Sequence, residues 1–343
     1  MTAPLRIGLA GYGFGGRVFH APLLASAETC EFLGVVTTSP ERRALVAAQH
    51  PGVATYDSLH ALAAAGAEAV AISTPADTHS QLTDEALALG LHVVCDKPFA
   101  LDAAAAASSV ALATERALVL SPYQNRRWDS DFLTLRHLVA SGRLGRILRF
   151  ESRFERFTPD GGPKPAGGGA LLDFGSHLID QALVALGPVD AVYAEWSIGD
   201  NGLDDDVFVA FTHANGARSH HWGSWRQAAP GPRFRVAGSE AAYVVDGPMD
   251  GQEAALVAGD TPRSLGDQWG VELEARWGRV VRSDDVEVVP SVPGAWPTFY
   301  SAFAAAVRGE GEPPVPATDA LATARVLDAA RASATTGSTV SLA

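Results

Sequence analysis

The sequence predicts an α/β protein in two parts. Residues 1–121 form an N-terminal domain on a doubly wound parallel sheet, and residues 122–343 form an α+β domain with a large open, mainly antiparallel sheet, its last helices expected to pack back at the domain junction. Three observations predict this. Short apolar runs alternate with Ala/Leu-rich helical segments as far as Ser121, the pattern of a parallel sheet with helices on both faces. Past Pro122 the period becomes two: Arg149, Glu151, Arg153 and Glu155 alternate with Leu148, Phe150, Ser152 and Phe154, as in a half-exposed strand. A chain of 343 residues also exceeds what one ordinary core holds.

The first strand, Leu5–Ala10, runs into Gly11-Tyr12-Gly13-Phe14-Gly15-Gly16, and Arg17–Leu24 continues as helix. Strand, G-x-G-x-x-G and helix together place a dinucleotide pyrophosphate on a helix N-terminus. Gly11 permits the tight turn, Gly13 lets the backbone approach the phosphates, and Gly16 lets the helix pack close to the strand. Residues 1–121 therefore read as a Rossmann dinucleotide-binding domain. Its later strands are Glu31–Val36, Ala69–Ser73, Leu91–Cys95 and Leu118–Ser121, with helices at Ser58–Ala65, Thr78–Leu89 and Asp102–Glu115. Gly66 and Gly90 fall where helix C-caps belong, and Asp102 where an N-cap belongs. In the second part, strands are expected at Ala191–Ile198, Asp206–Thr212, Ala217–Trp222 and Ala241–Val245, and helices at Thr298–Val307 and Ala317–Ala334. Pro159–Gly169 reads as a mobile Pro/Gly-rich loop.

Apolar content of 47% with 19% charged residues describes a globular, soluble chain. A net charge of −13 argues against a nucleic-acid partner, which needs clustered Lys and Arg. No apolar stretch reaches the ~20 residues of a membrane span. The first strand starts so soon after Met1 that a signal peptide has no room, so a cytoplasmic location is expected. Cys30 and Cys95 lie in apolar, strand-like runs and read as buried free thiols; no metal site is expected.

An NAD site carries a carboxylate at the end of the second strand. Here that region reads Val36-Thr37-Thr38-Ser39-Pro40-Glu41-Arg42-Arg43, with Glu41 expected to point away past the proline. Thr38, Ser39 and Arg42 or Arg43 suit a 2′-phosphate, so NADP is favoured, with NAD as the alternative. Asp96-Lys97-Pro98 follows a strand, which puts Lys97 at the site mouth. In a helical Asp173–Asp180, Asp173, His177 and Asp180 share one face, and a His flanked by carboxylates suits a general base. Tyr123-Gln124-Asn125-Arg126-Arg127-Trp128-Asp129 suits a polyol or sugar, with Asn and Arg for hydroxyls and Trp for an apolar ring face. Asp129 is either a ligand residue or the N-cap of the next helix. Trp222, Trp225 and Trp296 either line the site or fill the second core, and we read them as core.

As a set, these motifs resemble the glucose–fructose oxidoreductase/inositol dehydrogenase (Gfo/Idh/MocA) family over essentially the whole chain. The resemblance rests on Gly11–Gly16 with Phe19-His20-Ala21-Pro22, Ser73-Thr74-Pro75 with His79, Asp96-Lys97-Pro98, Tyr123–Asp129 with Phe132-Leu133-Thr134, and Asp173 to His177 with Asp180-Gln181. Tyr123–Thr134 and Asp246–Glu253 look most like the NADP-dependent scyllo-inositol dehydrogenase branch. The resemblance implies that Lys97, Asp173 and His177 act at the reacting carbon. It maps the nicotinamide position onto Pro75 and His79, and Asp96 stands where the family usually has Glu. The implied cofactor contacts are Gly11, Tyr12, Gly13, Phe14, Gly15, Gly16, Thr37, Thr38, Ser39, Arg42, Ser73, Thr74, Pro75, His79, Asp96, Lys97 and Asn125. The implied substrate contacts are Tyr123, Arg126, Arg127, Trp128, Asp173 and His177.

The expected activity is reversible oxidation of a secondary hydroxyl of a cyclic polyol or sugar. His177 takes the proton, and Lys97 stabilises the developing alkoxide. Rival readings are a dehydrogenase for an aldose, a dihydrodiol or an imine, or a non-catalytic nucleotide-binding regulator. The open sheet, with aromatic and aliphatic residues outward and no spare helix to cover it, predicts a homo-oligomer, dimer or tetramer, joined through this sheet; the resembled family also associates this way.

Overall fold

The structure is a computed structural model and describes residues 3–158, 162, 168–247 and 251–342. The Pro159–Gly169 loop and the Asp246–Glu253 motif therefore lie partly outside the described residues.

Two compact units form. One comprises 1–124, 252–269 and 295–321, and the other 125–251, 270–294 and 322–343. This differs from the single boundary at 121/122 read from the sequence. Two later segments, 252–269 and 295–321, cluster with the N-terminal unit.

In the first unit the elements run β1 (Leu5–Ala10), a π-helical turn Gly15–His20 leading into α1 (Ala21–Ser26), β2 (Cys30–Val36), α2 (Pro40–Gln49), β3 (Ala54–Tyr56), α3 (Leu59–Ala64), β4 (Ala69–Ile72), α4 (His79–Ala88), β5 (His92–Cys95), α5 (Ala103–Glu115) and β6 (Leu120–Pro122). The strands pair in parallel in the order β3-β2-β1-β4-β5-β6, a doubly wound sheet whose order reverses between β1 and β4. Ile7, Leu9, Val35, Val70, Ile72, Val93 and Val94 are fully buried in it, which is why these strands read as unbroken apolar runs. The β3 strand was not expected: three residues carry no period of their own. Asp102 accepts a hydrogen bond from the Ala105 N–H at 2.8 Å, as an N-cap should.

The second unit opens with α6 (Ser130–Ala140), β7 (Ile147–Glu155), α7 (Ala170–Asp173), α8 (Gly175–Leu186), β8 (Val189–Ile198), β9 (Asp204–His213), β10 (Arg218–Ser224), β11 (Phe234–Gly238) and β12 (Ala242–Val245). The chain continues through α9 (Gly251–Ala258), α10 (Pro262–Leu265), β13 (Gly278–Arg282), β14 (Asp285–Val289), α11 (Thr298–Val307), α12 (Ala317–Thr336) and β15 (Val340–Ser341). Nine strands form its sheet in the order β14-β13-β12-β11-β7-β10-β9-β8-β15, and only β7 and β10 run parallel. Alternation sorts the faces: Val207, Val209 and Phe211 go into the core with Phe150, Phe154, Phe174 and Leu178. Phe208, His220 and Trp222 stack on the opposite face, where the Arg153 guanidinium lies 3.9 Å from the Trp222 ring centre.

The tryptophans thus divide. Trp225 packs on Phe174, and Trp296 is fully buried in the first unit. Trp222 is not core, because its place in the β10 alternation turns it outward. Among the described residues no helix is long and apolar enough to cross a membrane.

Candidate active site

The glycine turn sits at the switch point between β1 and β4. Gly11 has φ +95°, and its N–H donates to Val36 O at 3.2 Å. A Cβ on Gly16 would overlap the Gly11 carbonyl oxygen, so only glycine lets the helix start this close to the strand. A Cβ on Gly13 would meet nothing within 4 Å. The space over Gly13 is open, and the helix that follows has no side-chain cap at Phe14. An open backbone with uncapped N–H groups fits a dinucleotide pyrophosphate. Tyr12 is different: its side chain is buried and its hydroxyl donates to Gln49 Oε1 at 2.8 Å, so only its backbone is left for a ligand. Phe14 is 58% exposed and borders a cavity of about 570 Å³ with Arg17, Val18, His50 and Arg263; neither Lys97 nor His177 lines that cavity.

At the end of β2 several expected contacts are already engaged. Ser39 caps α2, accepting from the Arg42 N–H at 3.2 Å, and Thr37 Oγ1 accepts from the Ser39 N–H at 3.3 Å. Arg43 pairs with Asp57 and donates to Thr37 O at 3.2 Å, which makes it a brace. Thr38 and Arg42 remain exposed. The expectation that Glu41 points away is corrected: the Ser39 hydroxyl donates to its carboxylate at 2.6 Å. That hydrogen bond holds the Glu41 carboxyl below its usual range. The proline starts the helix one residue before Glu41, so its side chain folds back over the cap.

At the carboxyl end of β5, Asp96 lies directly beneath the turn. A Cβ on Gly15 would come 2.7 Å from Ser73 Oγ and 3.2 Å from Asp96 Oδ2. Asp96 Oδ2 accepts from Ser73 Oγ at 2.9 Å and Oδ1 from the Lys97 N–H at 2.9 Å. Burial pushes this carboxyl up, but the charges of His20, His79 and Lys97 win and hold it at about 2. The Lys97–Pro98 peptide is cis. Pro75 is exposed at the end of β4, and Thr74 Oγ1 lies 2.6 Å from Thr78 Oγ1.

His79 has both ring nitrogens engaged by the backbone. It is 1% exposed, with Nδ1 2.8 Å from Pro98 O and Nε2 2.9 Å from Thr74 O. Carbonyl oxygens only accept, so both ring nitrogens must carry hydrogen and the ring is an imidazolium. Burial opposes that charge, but Cys95, Asp96 and the Pro98 carbonyl raise the pKa to about 9. In the unfolded chain it lies near 6.5. The stabilisation is therefore complete below pH 6.5 and is lost as pH rises from 6.5 through 9. Urea titrations should show wild type losing stability over that window, and His79→Phe should flatten this loss. An unchanged slope in the variant would remove His79 as its source.

In the second unit, α7 and α8 meet at Phe174, which keeps helical dihedrals, so the Asp173-to-Asp180 spacing is nearly that of one helix. The α7 end is capped from outside: Asp204 Oδ2 accepts from the Leu171 N–H at 2.6 Å. His177 is 3% exposed with its ring 6.1 Å from that of Phe154, and Asp173 is half-buried. Asp180, three residues beyond His177 on the same helix, is a paired carboxylate. It is bound by Arg127 through Nε at 2.8 Å and Nη2 at 2.6 Å. Arg127, expected as a substrate ligand, thereby braces the Asn125–Trp128 turn against α8. Arg126 is likewise buried, pairing with Asp129 at 3.3 Å and lying over Phe154. Asp129 stands at the N-cap of α6 with no side-chain cap hydrogen bond. In the first unit Tyr123, expected as a substrate contact, is 2% exposed and packs against His20, Phe299 and Tyr300. Asn125 is buried and Trp128 half-buried. Cys95 is a buried free thiol as expected; Cys30 is a half-buried one, and burial raises it to about 11.

A dinucleotide turn at the switch point of a 3-2-1-4-5-6 sheet, with a lysine at the end of β5, defines a nucleotide-dependent oxidoreductase fold. Comparison with known proteins agrees. Residues 5–124 match the oxidoreductase family with an NAD-binding Rossmann fold, and residues 132–244 match the GFO/IDH/MocA C-terminal domain. The chain belongs to the Gfo/Idh/MocA oxidoreductase family. It is 37% identical to the uncharacterized oxidoreductase YdgJ of Escherichia coli, covering 100% of both chains. It is 31% identical to the NADP(+)-dependent scyllo-inositol 2-dehydrogenase IolW of Bacillus subtilis, over 98% of this chain and 96% of that one. The solved structure of the putative oxidoreductase YvaA of B. subtilis superposes with a TM-score of 0.92 at 30% identity, covering 99% and 98% of the two chains.

Proposed function

We propose that this protein is an NADP-dependent dehydrogenase that reversibly oxidises a secondary hydroxyl of a cyclic polyol of the inositol type. The observation that carries the reading is the Asp96-Lys97 turn, packed against Gly15 of the nucleotide turn. A lysine at this strand end, next to the nucleotide turn, supports the reading that its cation serves the nicotinamide end of a bound dinucleotide. The relationship to IolW supports the substrate class and the cofactor. Lys97 stabilises the developing alkoxide, His177 takes the hydroxyl proton, and Asp173 orients His177 or holds a neighbouring hydroxyl. When bound, the nicotinamide supplies the hydride chemistry. A panel of inositols, aldoses and dihydrodiols, assayed with NADP and NAD at 340 nm, tests the reading. Turnover confined to non-polyol substrates would overturn it.

Cofactor choice has its own test. Thr38 and Arg42 offer donors to a 2′-phosphate, while Glu41, held on Ser39, opposes one and would suit NAD. We expect kcat/KM to favour NADP, and Glu41→Gln to widen the preference several-fold. A tenfold preference for NAD in wild type would reverse the assignment.

The outward sheet face carries Phe208, His220 and Trp222, and we propose that a second copy of the chain covers it. Light scattering during gel filtration should give an oligomer mass at micromolar concentration. A monomer mass would refute this.

A further inference from the structure

We propose that Asp204 is a positioning residue for Asp173 and His177: from the first residue of β9, its carboxylate anchors the helical turn that carries Asp173 and runs on to His177. The inference rests on the reading that Asp173 and His177 act at the reacting carbon.

The α7 helix is a single turn, Ala170–Asp173. One turn is marginal by itself, since nucleation fixes several residues for one hydrogen bond. Its start is bare. Gly168 and Gly169 both have positive φ, at +75° and +73°, and Gly169 at the N-cap has no side chain to offer. The carboxylate that takes over this role comes from 33 residues away: Asp204 Oδ2 accepts from the Leu171 N–H at 2.6 Å. Backbone hydrogen bonds then lead on to the site. The Asp173 N–H donates to Gly169 O at 3.0 Å, the Phe174 N–H to Ala170 O at 2.9 Å, and the His177 N–H to Phe174 O at 3.1 Å.

Two backbone features make this contact possible. The first is a slip in the β8–β9 pairing: Ser197 pairs with Asp206 and Ile198 with Asp204, and Asp205 is left over. Plain alternation from Val207 and Val209, which face the core, would leave Asp204 on the outward face with Phe208. The bulge re-aims it toward α7. The second is Gly169. A Cβ there would overlap Asp204 Oδ1, so only glycine lets the carboxylate come this close. Gly223 of β10 makes similar room at the junction of α7 and α8, where a Cβ would come 3.1 Å from the Phe174 Cβ.

Amide hydrogen exchange read by mass spectrometry tests the anchor, and single-turnover kinetics test what the anchor is for. In Asp204→Ala, peptides spanning 168–178 should exchange about tenfold faster, with the rest of the second unit within about twofold of wild type. In a stopped flow with an inositol and NADP, the rate constant for NADP reduction should fall about tenfold at unchanged amplitude. A folding defect would instead lower the amplitude and leave the rate constant as it was. Asp204→Asn keeps an acceptor oxygen and should recover part of both losses, so it carries the test if Asp204→Ala fails to fold. Gly169→Ala should give the same two effects from the other side of the contact, and the double variant should be no worse than Gly169→Ala alone. Three results would overturn the proposal: wild-type exchange at 168–178 in the Asp204 variants, faster exchange with an unchanged rate constant, or losses that add in the double variant. Absence of polyol turnover in wild type would instead sink the dehydrogenase reading, and the exchange rates would still decide whether Asp204 holds this helix.

Discussion

Lys97→Ala and His177→Ala should each lower kcat by about 10²–10⁴-fold, the usual loss on removing a general acid–base or electrostatic group. Binding of NADPH should survive in both. The turn that fits the pyrophosphate is built from Gly11, Gly13 and Gly16, and neither side chain forms it. His177 lies in the other compact unit altogether. Stopped-flow turnover, read beside a fluorescence titration with NADPH, separates the effects. Near-normal turnover in either variant would remove that residue from the chemistry. A parallel loss of NADPH affinity would assign it to cofactor binding.

Arg127→Ala should destabilise the second unit by about 3–5 kcal/mol, because it strips a two-pronged partner from the buried Asp180 carboxylate. Arg127→Met with Asp180→Leu should recover most of that loss, since two apolar side chains of similar size leave no buried charge behind. Denaturant unfolding checks both. The sequence places Arg127 among the substrate ligands, and that role predicts a raised KM with unchanged stability. The pair of variants therefore decides between brace and ligand. Stability unchanged by Arg127→Ala would restore the ligand role.

The Arg127 case shows where reading the chain stops. Its type and position suit hydroxyl recognition, but Asp180 answers it from 53 residues away. The same holds for His79, spent on two carbonyls, and for Tyr123, spent on an aromatic cluster. In each case the sequence shows the residue but not the partner it meets in the fold. A side chain can serve either a neighbour or a ligand, and only the folded geometry says which.

What the sequence determined by itself is the part carried by short-range constraint. Gly11 needs a positive φ, Gly16 a close approach, and Asp102 an N-cap, and each requirement lies within a few residues. Periods of 3.6 and two separate the parallel sheet from the open one for the same reason, since each strand's pattern records which faces are buried. Tertiary structure alone decided the rest. It brought 252–269 into the first unit, turned Trp222 outward, folded Glu41 onto Ser39, and brought His20 against both Tyr300 and Asp96. Hydrogen bonds and ion pairs act over about 3 Å regardless of separation along the chain, so a contact 280 residues apart leaves no local pattern to read.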